Sequence, residues 1–148
     1  MGAGDGMKAI SLWQPWATAI AVGNKHVETR HWATAYTGPL AIHAAKRWEK
    51  SAREFASVER AIGRLPARLP LGAIVATAIL IGCRRTEDVE HQLSPVERIY
   101  GDYTAGRFAW FLADIVALDE PIPFRGAQGF FSVPDALFIN AKGGSTLT

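Results

Sequence analysis

The chain has 148 residues, one cysteine and a formal net charge of +2 from 16 basic and 14 acidic side chains, so one domain is the starting expectation. Apolar residues at 49% and charged residues at 20% exclude a disordered chain. The lone cysteine excludes a disulfide framework and a cysteine-based zinc cluster, and fits a reducing cytoplasm.

Met1 to Gly6 is glycine-rich and reads as a disordered N-terminal segment without the basic and apolar regions of a secretion signal. Residues 141–148 read as a flexible tail, which leaves 7–140 as the folded domain. Lys8 to Trp13 alternates over a short span and predicts a strand. Gln14 to Val22 predicts a helix, with Pro15 near its start, Trp16 and Ile20 on one apolar face, and Gly23 at its end. Lys25 to Arg30 predicts a second strand and Leu40 to Ala45 a third, buried one. Arg47 to Ile62 predicts a helix whose inner face carries Trp48, Ala52, Phe55, Val58 and Ile62 at three- and four-residue steps. Pro66 and Pro70 bracket its exit.

Ala73 to Cys83 is the longest β-like run, and at this length it is too short for the ~18 residues of a membrane helix. Arg84 to Tyr103 is polar and turn-rich with little sheet signal, the kind of excursion that often carries function. Phe108 to Leu118 predicts a strand that Pro121 and Pro123 interrupt; Phe130 to Val133 predicts a last strand, and Pro134 opens a C-terminal helical turn. Strands outnumber helices and do not alternate with them, which argues against a doubly wound sheet. The expected fold is α+β, a small closed or half-closed β-barrel with flanking helices.

Several chemistries have no foothold. There is no phosphate loop, no GxGxxG and no GxSxG. His26, His31, His43 and His91 lack metal-ligand spacing, so neither a metal nor a cofactor is expected. Cys83 sits in an apolar strand and reads as a small core residue. What stands out is Trp13 to Lys46, which holds three of the five tryptophans and a carboxylate bracketed by cations. In Lys25 to Arg30 the pleat puts His26, Glu28 and Arg30 on one face and Val27 and Thr29 on the other. Glu28 between Lys25 and Arg30 is held ionised. Tryptophans beside cations suit stacking on nucleobases, the alternative being core packing for Trp13 and Trp16. Gln14 reads a base edge or caps the helix. Lys46, after His43 at the end of a buried strand, is a candidate proton-transfer group if desolvated, or a lysine that reaches out to water.

Ser11 to Ala17 (SLWQPWA), Gly23 to Arg30 (GNKHVETR) and Trp32 to Lys46, ending YTGPLAIHAAK, together resemble the ASCH domain of the PUA-like superfamily. Gly106 to Leu112 (GRFAWFL) and Arg125 to Pro134 (RGAQGFFSVP) continue the resemblance over nearly all of residues 7–138. It implies a PUA-like β-barrel with a helix-bounded cleft and a function facing RNA or nucleotides. The family includes modules of transcriptional coactivators, a ribonuclease and small amidohydrolases acting on acetylated cytidine. The amidohydrolase set is a lysine, a threonine three residues on, and a distant glutamate. Lys25 matches the lysine, Glu28 stands where the threonine would be, and Glu87, Glu90 and Glu97 lie in the divergent polar stretch.

The expected function is binding of single-stranded RNA or a nucleotide in a cationic, aromatic cleft, with ribonuclease-like hydrolysis. Single-stranded DNA is a further candidate ligand. The expected catalytic set is Lys25, Glu28 and Lys46, and the expected binding set is Trp13, Gln14, Trp16, Arg30, Trp32, Tyr36 and His43. A non-catalytic nucleic-acid-binding module and an acetylcytidine amidohydrolase are the alternatives. A cytoplasmic monomer or weak dimer without membrane attachment completes the expectation.

Overall fold

A computed structural model describes residues 6–141. Six strands form one mixed sheet: β1 (Gly6–Leu12), β2 (Val27–Arg30), β3 (Gly38–Ala44), β4 (Ala73–Arg85), β5 (Phe108–Pro123) and β6 (Phe131–Pro134). Their spatial order is β2-β5-β4-β3-β1-β6. β1 and β3 run parallel, and the other neighbours are antiparallel. Gly6 already belongs to β1, opposite Pro134. The expectations for residues 1–5 and 142–148 lie outside the described residues.

The architecture is α+β, but the sheet does not close into a barrel. Among the described residues β2 pairs with β5 alone and β6 with β1 alone, so both ends of the sheet stay open. Bulges in β4 between Ile74 and Ala76, Thr77 and Ile79, and Leu80 and Gly82 bend the long β4–β5 ribbon. β2 and β6, four residues each, share no ladder, although Trp32 just past β2 packs on Phe130 just before β6.

β5 continues through Pro121 to Pro123, where it pairs with Ala73. On its other side β2 pairs with Phe108 to Phe111, and the Leu112 N–H donates to the His26 carbonyl at 2.9 Å. Beyond that point β5 is an edge strand, where a residue without an N–H leaves no ladder bond unmade.

The stretch predicted to be loop is short helices. β4 runs on to Arg85, α3 (Thr86–Val89) and a 3-10 turn over Glu90–Gln92 follow, and α4 (Pro95–Ile99) ends the excursion. Ser94 caps α4 by accepting from the Glu97 N–H at 3.1 Å, with Pro95 in the first turn. Helices of four or five residues leave no periodicity to read.

α1 (Trp16–Ala21) lies over one face of the sheet, above Ile10, Leu12, Leu40, Ile42, Leu80 and Trp110. The other face carries Ala9, Ala41, Ile74 and Val133 beneath Phe138 of α5 (Ala136–Ala141). Each fully buried Ile or Leu of the first cluster is worth ~1.5–3 kcal/mol relative to exposure.

α2 (Lys50–Ala61) is shorter than expected and turned by about one position from the expected face. Val58 and Ile62 are 59% and 55% exposed, whereas Ala52, Ala56 and Glu59 are buried. Glu59 is the reason. Tyr100 donates its hydroxyl to Glu59 Oε1 at 2.6 Å, and Arg64 Nε donates at 2.8 Å, so the carboxylate is buried with partners rather than bare. Among the described residues no helix is long and apolar enough to cross a membrane.

Candidate functional site

Two concavities open beside the corner where β1 runs into α1. One is a groove of about 1410 Å³ between that corner and the loop at 125–129. The other is a cavity of about 520 Å³ under α1 and the turn after α4. Ser11, Trp13 and Arg30 line both.

The smaller cavity is built on a turn. After α1, Gly23 takes φ +88°, a conformation costly for a residue with a side chain. The Asn24 and Lys25 N–H groups then both return to the Ala19 carbonyl, at 3.0 and 3.1 Å. That drives Lys25 inward to 1% exposure. Its Nζ donates to the Val27 carbonyl and to the Tyr100 carbonyl at 2.8 Å, and stands 3.5 Å from Glu28 Oε1. Three donors thus meet three acceptors. Burial holds the Lys25 pKa below its ordinary value; the Glu28 and Glu97 carboxylates pull the other way. A strict pleat would separate Lys25 from Glu28, but β2 begins only at Val27, so Lys25 sits in the turn and the pair meets.

Glu28 Oε2 faces Arg30 Nε at 3.2 Å, and an Arg30 terminal nitrogen donates to the Ser11 carbonyl at 2.9 Å. The shared face of Glu28 and Arg30 follows the expected alternation. Val27 packs against Val89, Tyr103 and Ala109, while the Thr29 hydroxyl accepts from the Asp102 N–H at 3.1 Å. His26 falls outside the strand. Its backbone N–H and that of Val27 donate to Glu97, at 2.8 and 3.1 Å. Glu97 is therefore the carboxylate of the polar stretch that the fold returns to the Lys25 turn.

The groove collects Trp13, Arg30, Trp32, His43 and Lys46. Trp13 is 45% exposed, with the Arg47 guanidinium 5.7 Å from its ring centre; Arg47 also pairs with Glu49. Lys46 lines the groove, exposed and past the end of β3, and so not at a desolvated strand end. It lines a different concavity from Lys25 and Glu28, so the expected catalytic set does not converge on one point.

His43 is 1% exposed and its ring is committed on both sides. Nδ1 meets the Ser11 hydroxyl at 2.9 Å and Nε2 the Phe124 carbonyl at 2.7 Å. Burial lowers its pKa, against the opposing pull of the Phe124 carbonyl. Gly126 lies over this pair.

Trp32 reaches the groove but is packed, edge to face with Trp110 at 4.7 Å and with Phe130 at 5.5 Å. Trp16 borders the smaller cavity and stacks on Phe55 at 5.8 Å. Gln14 and Tyr36 line neither concavity. The Gln14 amide donates to Thr18 Oγ1 and the Pro70 carbonyl and accepts from the Thr18 N–H. It anchors α1 and has no group left for a base edge. Tyr36 donates to the Pro39 carbonyl at 2.7 Å beneath the Lys8 ammonium.

Sequence reasoning missed Ser11, Arg47, Asp102, Arg107 and Arg125 as lining residues. Ser11 and Arg125 stood inside motifs already singled out, SLWQPWA and RGAQG, but nothing local shows that β1 and the loop at 125–129 face each other. Among the described residues no cluster of His, Cys, Asp or Glu is placed to hold a metal ion.

The family model for the ASCH domain matches residues 10–122. Among solved structures the chain is similar to the ASCH protein of Zymomonas mobilis, at 19% identity and TM-score 0.56 over 93% of each chain. A tyrosine-to-phenylalanine mutant of that protein gives 18% identity and TM-score 0.55 over 95% of each chain. A serine-to-alanine mutant gives 19% identity and TM-score 0.55, covering 95% of this chain and 93% of the other. At this identity the likeness speaks for the fold. No curated protein matches the chain. With the model spanning most of the chain, from the first buried strand to the end of β5, the chain belongs to the ASCH domain family.

Proposed function

We propose that this protein binds single-stranded RNA along the groove, with phosphates on Arg30, Lys46, Arg47 and Arg125 and a base stacked on Trp13. Membership of a generally RNA-binding family supports the reading. The observation that carries it is Trp13: a large aromatic ring 45% exposed in a concavity lined by four cationic side chains. An exposed ring of this kind offers every base a stacking face, and the cations neutralise backbone phosphates. Lys25 and Glu28 serve binding by holding Arg30 in place. The test is fluorescence anisotropy with labelled single-stranded RNA, single-stranded DNA and mononucleotides across a salt series. Binding of RNA with a steep salt dependence supports the proposal; no RNA binding by the folded protein at low salt refutes it.

A second reading rests on the smaller cavity. Lys25, with a depressed pKa, stands beside Glu28 and within electrostatic range of Glu97. Lys25 and Glu28 lining a cavity of about 520 Å³, with Glu97 behind the Lys25 turn, favour turnover of a small nucleoside such as acetylated cytidine. Release of acetate from that nucleoside, lost in Lys25→Met, separates this reading from binding alone.

A further inference from the structure

We propose that Ser11 and His43 form a nucleophile–base pair that hydrolyses carboxylic esters at the wall of the groove, with preference for an anionic acyl group. The inference does not depend on RNA binding.

The pair is set by strand register. β1 and β3 are parallel and Ser11 is the partner of His43, so the two side chains leave the sheet together. The Phe124 carbonyl can only accept, so its 2.7 Å contact places a proton on His43 Nε2. In the neutral imidazole Nδ1 is then an acceptor, and the Ser11 hydroxyl donates to it at 2.9 Å. A hydroxyl bonded to a base that a third group orients is the arrangement by which serine becomes a nucleophile. Burial keeps His43 neutral at physiological pH, as a base must be.

A hydrogen bond that only ties two strands together has no need to face an opening. Here the base is buried while Ser11 lines both concavities. The residue lying over the pair is Gly126. A Cβ there would stand 2.6 Å from His43 Cε1, 2.9 Å from Nδ1 and 3.2 Å from Ser11 Oγ. The φ of Gly126 is not in the left-handed range, so the pair, and not the backbone, excludes a side chain at this position.

The step balances with water alone. Ser11 Oγ bonds to the ester carbonyl carbon while its proton passes to His43 Nδ1. The tetrahedral oxyanion collapses, and the leaving alkoxide takes the Nδ1 proton and departs as alcohol. Water then gives a proton to Nδ1 and its oxygen to the acyl carbon. Collapse of the second oxyanion returns the proton to Ser11 Oγ and releases the acid. The Phe124 carbonyl holds the Nε2–H throughout. Arg30, Lys46 and Arg125, which line the groove, favour the oxyanion and an acyl group that is itself negatively charged.

The test uses the full chain, a fluorophosphonate probe read by mass spectrometry, and hydrolysis of 4-nitrophenyl acetate and the anionic 4-nitrophenyl hemisuccinate. The expected result is labelling at Ser11, faster hydrolysis of the hemisuccinate, and loss of both activities in Ser11→Ala. His43→Gln should lower kcat by about 10²-fold or more. As loss of a buried ring destabilises the fold, Ser11→Cys gives a second readout. Next to His43 its thiol should alkylate with an inflection well below the ~8.5 of a free cysteine. Absence of labelling at Ser11 in the folded protein, ester hydrolysis undiminished in Ser11→Ala, or an ordinary thiol titration in Ser11→Cys would each overturn the proposal.

Discussion

Glu28 holds Arg30 from one side at 3.2 Å while the Ser11 carbonyl accepts from the same guanidinium at 2.9 Å. One ion pair and one hydrogen bond orient the side chain and leave its charge at the junction of the two concavities. Arg30→Ala should therefore weaken RNA binding and reduce the log–log salt slope by about 1, the share of one phosphate contact. Anisotropy titrations at three or more salt concentrations read the slope directly. An unchanged slope in a folded variant removes Arg30 from the phosphate contacts.

The two groove tryptophans should separate by assay. Among the described residues no aromatic ring packs on Trp13, which meets the Arg47 guanidinium. Trp13→Ala should cost roughly 1–3 kcal/mol of single-strand affinity with little change in melting temperature. Trp32 is wedged between Trp110 and Phe130, so Trp32→Ala should lower stability by roughly 2–4 kcal/mol. Thermal melts and binding measured on the same preparations decide between the two.

His43 gives the protein an acid-side sensitivity. Its folded pKa lies below the ordinary 6.5. Below that pH the unfolded chain takes up a proton that the folded chain refuses, so stability falls as the pH drops, and above it the contribution vanishes. The slope reaches at most ~1.4 kcal/mol per pH unit for one proton. Urea unfolding of wild type and His43→Gln between about pH 7 and pH 5 should show the extra slope only in the wild type. Parallel curves would contradict it.

Glu59 acts in the same direction, over the carboxylate range. Arg64 first, and Tyr100 second, hold its carboxyl below the usual range against burial. It contributes stability above its unfolded pKa that is lost as the pH falls through the folded value. Tyr100→Phe removes the 2.6 Å bond to Glu59 and should cost roughly 1.5–3 kcal/mol at neutral pH. A denaturant midpoint unchanged from wild type would show that the hydroxyl is dispensable.

Strand content and the motif segment were legible because they depend on neighbours in sequence. Alternation marks β1 and β3, and the glycine after α1 marks its end. The inner face of α2 was not legible, because apolar spacing chose Val58 and Ile62 while the fold buries Glu59 against Tyr100, forty-one residues on. Closure of the sheet was misjudged for a related reason. Which strands pair is set by tertiary structure, not composition, and β2 and β6 form no ladder. At the site, Arg30, Trp13 and Lys46 were legible as residue types on a basic, aromatic segment. The Ser11–His43–Phe124 chain was not, since it joins residues 32 and 81 positions apart.

The unpaired side of β5 bears on how copies of this protein meet one another. A long bare strand edge invites another chain to extend the sheet. Here the edge past Phe111 carries Asp114, a strand residue with a left-handed φ of 49°, then Asp119, Glu120, Pro121 and Pro123. The irregularity at Asp114 kinks the strand in the middle, the acids repel an identical edge, and the prolines withhold donors at its end. The edge therefore offers no continuous template, which guards an open sheet against stacking side by side into aggregates at high concentration.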